Sequence, residues 1–114
     1  MAVVNLTMTR GDTSVVAVAV TNTDGSTHDI TDGTLVLTVK HGYTDADNVA
    51  VFQVSQSPTD PTHGKSVITI PPSATLTLPA ISVLVYDVEL TEANSQVTTI
   101  QTGKLSVVAD VSLV

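Results

Sequence analysis

Apolar and polar residues alternate with a period of two along much of this chain, the pattern of β-strands that bury one face. Residues 2–8 read as a first strand, closed by a turn at Arg10-Gly11-Asp12. Residues 14–22 form a second, with Val16, Val18 and Val20 on one face. Thr23-Asp24-Gly25-Ser26 holds the Asp-Gly pair that supplies positive φ in tight turns. A short extended piece from Thr27 to Ile30 and a turn at Thr31-Asp32-Gly33 follow. Strand 34–40 points Leu35, Leu37 and Val39 one way, and strand 49–55 carries Phe52. Strand 65–70 alternates Ile68 with Ile70 until Pro71 and Pro72, which cannot donate to a ladder, end it. Polar loops fill 41–48 and 57–64, and one helical turn fits 73–76. Strand 82–91 puts Leu84, Tyr86, Val88 and Leu90 on one face and Val83, Val85, Asp87 and Glu89 on the other. After a turn at Ala93-Asn94-Ser95, the last strand runs from Gln96 to Ala109. Its phase breaks between Thr98 and Ile100 and the odd-numbered Leu105, Val107 and Ala109, which predicts a bulge near Gly103.

About seven short, evenly spaced strands predict one all-β domain over residues 1–114, a sandwich or barrel. Composition agrees: 20 Val and 19 Thr, both β-branched, stand among few helix formers, and aromatics are only 3%. The core must be built from Val, Leu and Ile.

The faces opposite the core rows are less polar than a lone sandwich requires. Val15, Ala17 and Ala19 lie opposite Val16 and Val18, Val49 and Val51 opposite Phe52, and Val83 and Val85 opposite Tyr86. Charged residues are 13% of the chain, against about 25% in an ordinary domain. These seven residues are therefore a candidate protein interface. The plainer alternative is that small Val and Ala side chains are tolerated on a Thr-rich surface.

A net charge of −7 with four basic residues excludes a phosphate backbone as partner and disfavours an anionic membrane. No apolar run reaches transmembrane length, and Met1 leads into Ala2-Val3-Val4 with no basic segment, so synthesis in a cytoplasm without a secretory leader is expected. The absence of cysteine removes disulfides and thiolate metal sites.

Chemistry is sparse. His28, His41 and His63 fall in loops without metal-ligand spacing, although His28, Asp29 and Asp32 could meet in space. Asp87 and Glu89 share a strand face but lack the lining of a catalytic site. The acidic loops at 24–32 and 45–48 lack the calcium-loop pattern. Arg10-Gly11-Asp12 is a tight turn rather than a displayed adhesion loop, and Asn5-Leu6-Thr7 is a sequon lying within a strand. No catalytic, cofactor or metal residue is assigned, and no enzyme activity is expected.

The order of motifs adds a resemblance. Leu6-Thr7-Met8-Thr9-Arg10-Gly11-Asp12-Thr13 resembles the opening of small β-sandwich domains in tailed-phage virion proteins. Ile30-Thr31-Asp32-Gly33-Thr34, Pro72-Ser73-Ala74-Thr75-Leu76-Thr77-Leu78-Pro79-Ala80, Val85-Tyr86-Asp87-Val88-Glu89-Leu90-Thr91 and Thr102-Gly103-Lys104-Leu105-Ser106-Val107 continue it in the same order. The domain type is similar to the N-terminal portion of phage baseplate upper proteins and to capsid decoration proteins. The resemblance implies an immunoglobulin-like antiparallel β-sandwich of about seven strands, located in the virion, and it carries over no site. The sequence stops after this domain, without the linker and receptor-binding module of a baseplate adaptor. The leading expectation is a capsid decoration or cement protein that binds other virion proteins, above all the major capsid protein, as a homo-oligomer, with a trimer favoured. A tail, neck or baseplate component is the alternative, and a virion-displayed carbohydrate- or cell-binding module comes next, for which Tyr43 is the one aromatic in a loop.

Overall fold

A computed structural model describes residues 2–42, 44, 50–76, 78 and 82–109. Eight strands form: β1 (Ala2–Val3), β2 (Leu6–Thr9), β3 (Ser14–Ala19), β4 (Thr34–Lys40), β5 (Phe52–Gln56), β6 (Lys65–Ile70), β7 (Ser82–Thr91) and β8 (Val97–Val108). A 3-10 turn over Pro61–His63 precedes β6, and one helical turn, α1 (Pro72–Thr75), follows it. The large sheet runs β1-β8-β7-β4-β5, with β2 also on β8; the small sheet is β3-β6.

The inward rows are those that alternation predicts. Val16 and Val18 of β3 and Ile68 and Ile70 of β6 meet Leu35, Leu37 and Val39 of β4 and Leu84, Tyr86, Val88 and Leu90 of β7, all buried. Each such side chain contributes roughly 1.5–3 kcal/mol through removal from water. Met8, Ile30, Ile100, Leu105 and Val107 complete the core.

The structure departs from expectation in five places. The expected first strand is two, because the chain breaks at Val4-Asn5, and both pieces pair parallel to β8. The large sheet is therefore mixed rather than purely antiparallel. β3 stops at Ala19 rather than at residue 22, and beyond it Thr21 and Thr27 make an isolated bridge. β5 starts at Phe52 rather than at residue 49. The bulge lies at Ile100, not near Gly103: the register steps from Val88↔Gln101 to Glu89↔Thr99. This turns Ile100 (8% exposed) and Gln101 (5%) inward together, which resets the phase. Finally, Val51 is not on an outer row but packs half-buried against the core with Phe52. The bend at Val51, just before β5, removes it from strand alternation.

Gly103 has a different task. A Cβ there would collide with the Val4 carbonyl, so only glycine lets the break between β1 and β2 lie against β8. Val4 N donates to Thr102 O at 2.8 Å, and Lys104 N donates to Asn5 Oδ1 at 3.1 Å, fastening both sides of that break.

Candidate functional site

The candidate interface residues separate onto two opposite surfaces. Because Val16 and Val18 point into the core, Val15, Ala17 and Ala19 point outward from the small sheet, and all three are exposed. Val83 and Val85 point outward from the large sheet, on the far side of the sandwich. Val51 joins neither surface, and Val49 lies outside the described residues.

The two surfaces differ in chemistry. The register sets Val85 between Lys40 and Lys104, and Asp87 between Thr38 and Thr102. Val83 is 64% exposed but stands beside Ser106 in a charged and hydroxylated field. On the small sheet, Val15 (64% exposed) pairs with Thr69, Ala17 with Val67 (42%), and Ala19 with Lys65. This outer face is four apolar residues flanked by Thr69 and Lys65, and Val67 is a member that the sequence reading did not name.

The two edges of the small sheet differ as well. Along β6, the backbone groups turned away from β3 are covered. Lys65 N donates to Asp60 O at 3.1 Å, and Val67 N donates to Thr59 Oγ1 at 3.1 Å. The Gln56 amide works in both directions, donating to Val67 O at 2.8 Å and accepting from Thr69 N at 3.2 Å. One side chain thus imitates a neighbouring strand and blocks the edge. Since Lys65, Val67 and Thr69 bond away from β3, Ser66, Ile68 and Ile70 must bond toward it, to Val18, Val16 and Ser14. The N–H and C=O groups of Val15, Ala17 and Ala19 then face the outer edge of β3, where no described residue pairs with them. That edge opens beside a cleft of about 320 Å³ lined by Ala2, Ala19, Val20, Thr21 and Thr98 to Ile100. The sequence signal for this edge is a stretch, residues 13–23, with no charge and no proline.

A second concavity of about 410 Å³ adjoins the first and is lined by Asn22, His28, Glu92, Gln96 and Thr98, with Leu90 and Ile100 at its base. His28 Nε2 meets Glu92 Oε1 at 2.5 Å, and Nδ1 meets Asn22 Oδ1 at 2.9 Å. Asn22 is oriented by donating from Nδ2 to Ser26 Oγ and Thr27 O. The structure therefore sets His28 against Glu92, a partner distant in sequence, rather than grouping it with Asp29 and Asp32. Asp29 instead accepts from the Thr31 hydroxyl and N–H, and Asp24 does the same from Ser26. In each case the side-chain hydrogen bond, followed by the backbone one, holds the carboxyl below its ordinary range. Among the described residues, no three His, Asp or Glu side chains come together as a metal site.

The Arg10-Gly11-Asp12 turn is docked rather than displayed. Arg10 Nη1 donates to Leu78 O at 3.2 Å, and Gly11 N donates to the buried Thr75 Oγ1 at 2.9 Å. The φ of +81° at Gly11 makes the turn.

No family model matches the chain, and the search of curated proteins finds no match. Among solved structures, the chain is similar to a 2,6-sialyltransferase from Photobacterium sp. JT-ISH-224, at 15% identity and a TM-score of 0.39. The match covers 96% of this chain and 18% of that one.

Proposed function

We propose that this protein is a non-enzymatic structural subunit of a tailed-phage virion, and specifically a capsid decoration protein that stabilises the head by burying surface between capsid subunits. The observation that carries this reading is the outer face of the small sheet. A water-exposed sheet face normally alternates to polar residues, yet here Val15, Ala17, Ala19 and Val67 form a contiguous apolar surface. A contiguous apolar surface of this kind is the mark of a face that another protein covers. The order of turn motifs shared with phage virion domains supports the location, and low charge suits a subunit with several covered faces.

Locating the protein in a low-resolution map of the particle tests the proposal. Hundreds of copies at capsid symmetry positions are expected. Six or twelve copies in a ring would move it to the tail, neck or baseplate and overturn the decoration role.

One observation favours a second reading, a virion-displayed carbohydrate-binding module. The concavity at His28 and Glu92 offers amide, hydroxyl and carboxylate groups over an apolar base. Its described lining has no Trp, Tyr or Phe ring, the usual platform for a sugar face, which is why it ranks second. A glycan array separates the two, and specific retention of one glycan class would favour the module.

A further inference from the structure

We propose that the outer edge of β3 is a self-pairing site, through which two copies of this chain join antiparallel about a two-fold axis at Ala17 into one continuous sheet, β6-β3-β3-β6. The inference deepens the structural-subunit reading and rests on it for biological setting, but its geometry stands on the strand register alone.

The edge is complementary to itself. Its unpaired backbone groups belong to Val15, Ala17 and Ala19, which are spaced evenly about Ala17. With Ala17 opposite its symmetry mate, Val15 of each copy falls opposite Ala19 of the other, and every open N–H and C=O finds a partner. The outer face then carries the row Val67, Ala17, Ala17, Val67, flanked by rows in which Val15 meets Ala19. The apolar surface of one copy becomes a doubled, continuous one.

The charge distribution leaves this edge open to a second copy. The chain carries a net charge of −7, so random encounters between copies are repulsive. Residues 13–23, which hold all of β3, contain no charge, so the pairing brings no like charges face to face. Lys65, the cation on this outer face, lies beside Ala19. The two-fold therefore sets each Lys65 in a row with the other copy's Val15 and Thr69 and keeps the two lysines at opposite ends of the sheet.

The treatment of edges completes the argument. Exposed strand edges are normally blunted by lysine, proline, bulges or covering groups. This protein covers the β6 edge with Gln56 and Thr59 but leaves β3 uncharged, regular and open. The geometry points to a two-fold pair as the building unit, in place of the trimer that the resemblance suggests.

Sedimentation of the full chain over a concentration series tests this, together with cysteine cross-linking. Native protein is expected to show a mass doubled from 11.8 kDa. Ala17→Pro removes an N–H aimed at the open edge without touching the ladder to β6, and it should return the monomer with native circular dichroism. Should that variant fail to fold, Ala17→Lys supplies the same reading by placing like charges at the axis. The chain has no cysteine of its own. In Ala17→Cys the two introduced thiols would sit on Cα atoms about 5.5 Å apart, within disulfide reach. This variant should oxidise to a linked pair, while Val83→Cys on the far face should not. A monomer at all concentrations, or equal linkage of both cysteine variants, overturns the self-pairing. A chain that pairs through Ala17 but is absent from particles overturns the virion reading instead, and one bound to particles as a monomer overturns only the pairing.

Discussion

The hydroxyl of Tyr86 donates to the carbonyl oxygen of Val4 at 2.6 Å across 82 residues of sequence. Gln101 Nε2 donates to the same hydroxyl at 2.9 Å, and Thr102 Oγ1 donates to Tyr86 O at 2.9 Å. A core tyrosine thereby holds the break between β1 and β2 against β8. The break leaves the Val4 carbonyl without a strand partner on that side, and the hydroxyl of the buried ring supplies the donor.

Replacing Tyr86 by Phe keeps the ring and removes that donor. Val4 O and Gln101 Nε2 would both lose their partner, so a loss of about 1–3 kcal/mol is expected. Urea unfolding measures it, and amide exchange should rise first at Val3 to Asn5. An unchanged midpoint would show that water replaces the hydroxyl.

Gly103→Ala drives a methyl group into the Val4 carbonyl, backbone against backbone. Overpacking of this kind costs about 1–3 kcal/mol. Gly25→Ala is the control. It has φ +85° but nothing within 4 Å, so its cost is conformational alone. The expected ranking is Gly103→Ala more destabilising, with β1 released.

His28 and Glu92 join the 22–28 loop to the turn between β7 and β8. Their side chains are 35% and 20% exposed. A partly solvated pair of this kind should give a coupling of roughly 0.2–1 kcal/mol in a double-mutant cycle of His28→Ala and Glu92→Ala. A coupling near zero would mean that the contact does not hold the loop.

Asp24 and Asp29 are both held below the ordinary carboxylate range by hydrogen bonds from Ser26 and Thr31. A carboxyl with a lowered folded pKa contributes stability above its unfolded pKa, and that contribution disappears as pH falls through the folded one. Both groups are fully exposed, so the effect is small. The double variant Asp24→Asn, Asp29→Asn should show a shallower loss of stability than the native chain as pH falls through the carboxylate range, measured by thermal melts in acid.

The core was legible along the chain. Alternation named Leu35, Leu37 and Val39, Ile68 and Ile70, and Leu84 through Leu90, because the side chains of an extended backbone take opposite sides in turn, whatever the strand pairs with. The turns at Gly11, Gly25 and Asp32 were legible for the same local reason: they need positive φ. The bulge was legible as a phase break, but its position was not, since Ile100 and Gln101 point inward together only because of the ladder with Val88 and Glu89.

The candidate interface was half legible. Strand alternation marks Val15, Ala17, Ala19, Val83 and Val85 as outward-facing, but sequence does not say that they occupy opposite sides of the molecule. That depends on which sheet each strand joins. The same holds for the Gln56 cover on β6, the open edge of β3 and the parallel seat of β1 and β2 on β8. Face direction is a property of the local backbone, whereas edge, neighbour and patch are properties of pairing between distant segments, and only the tertiary structure decides them.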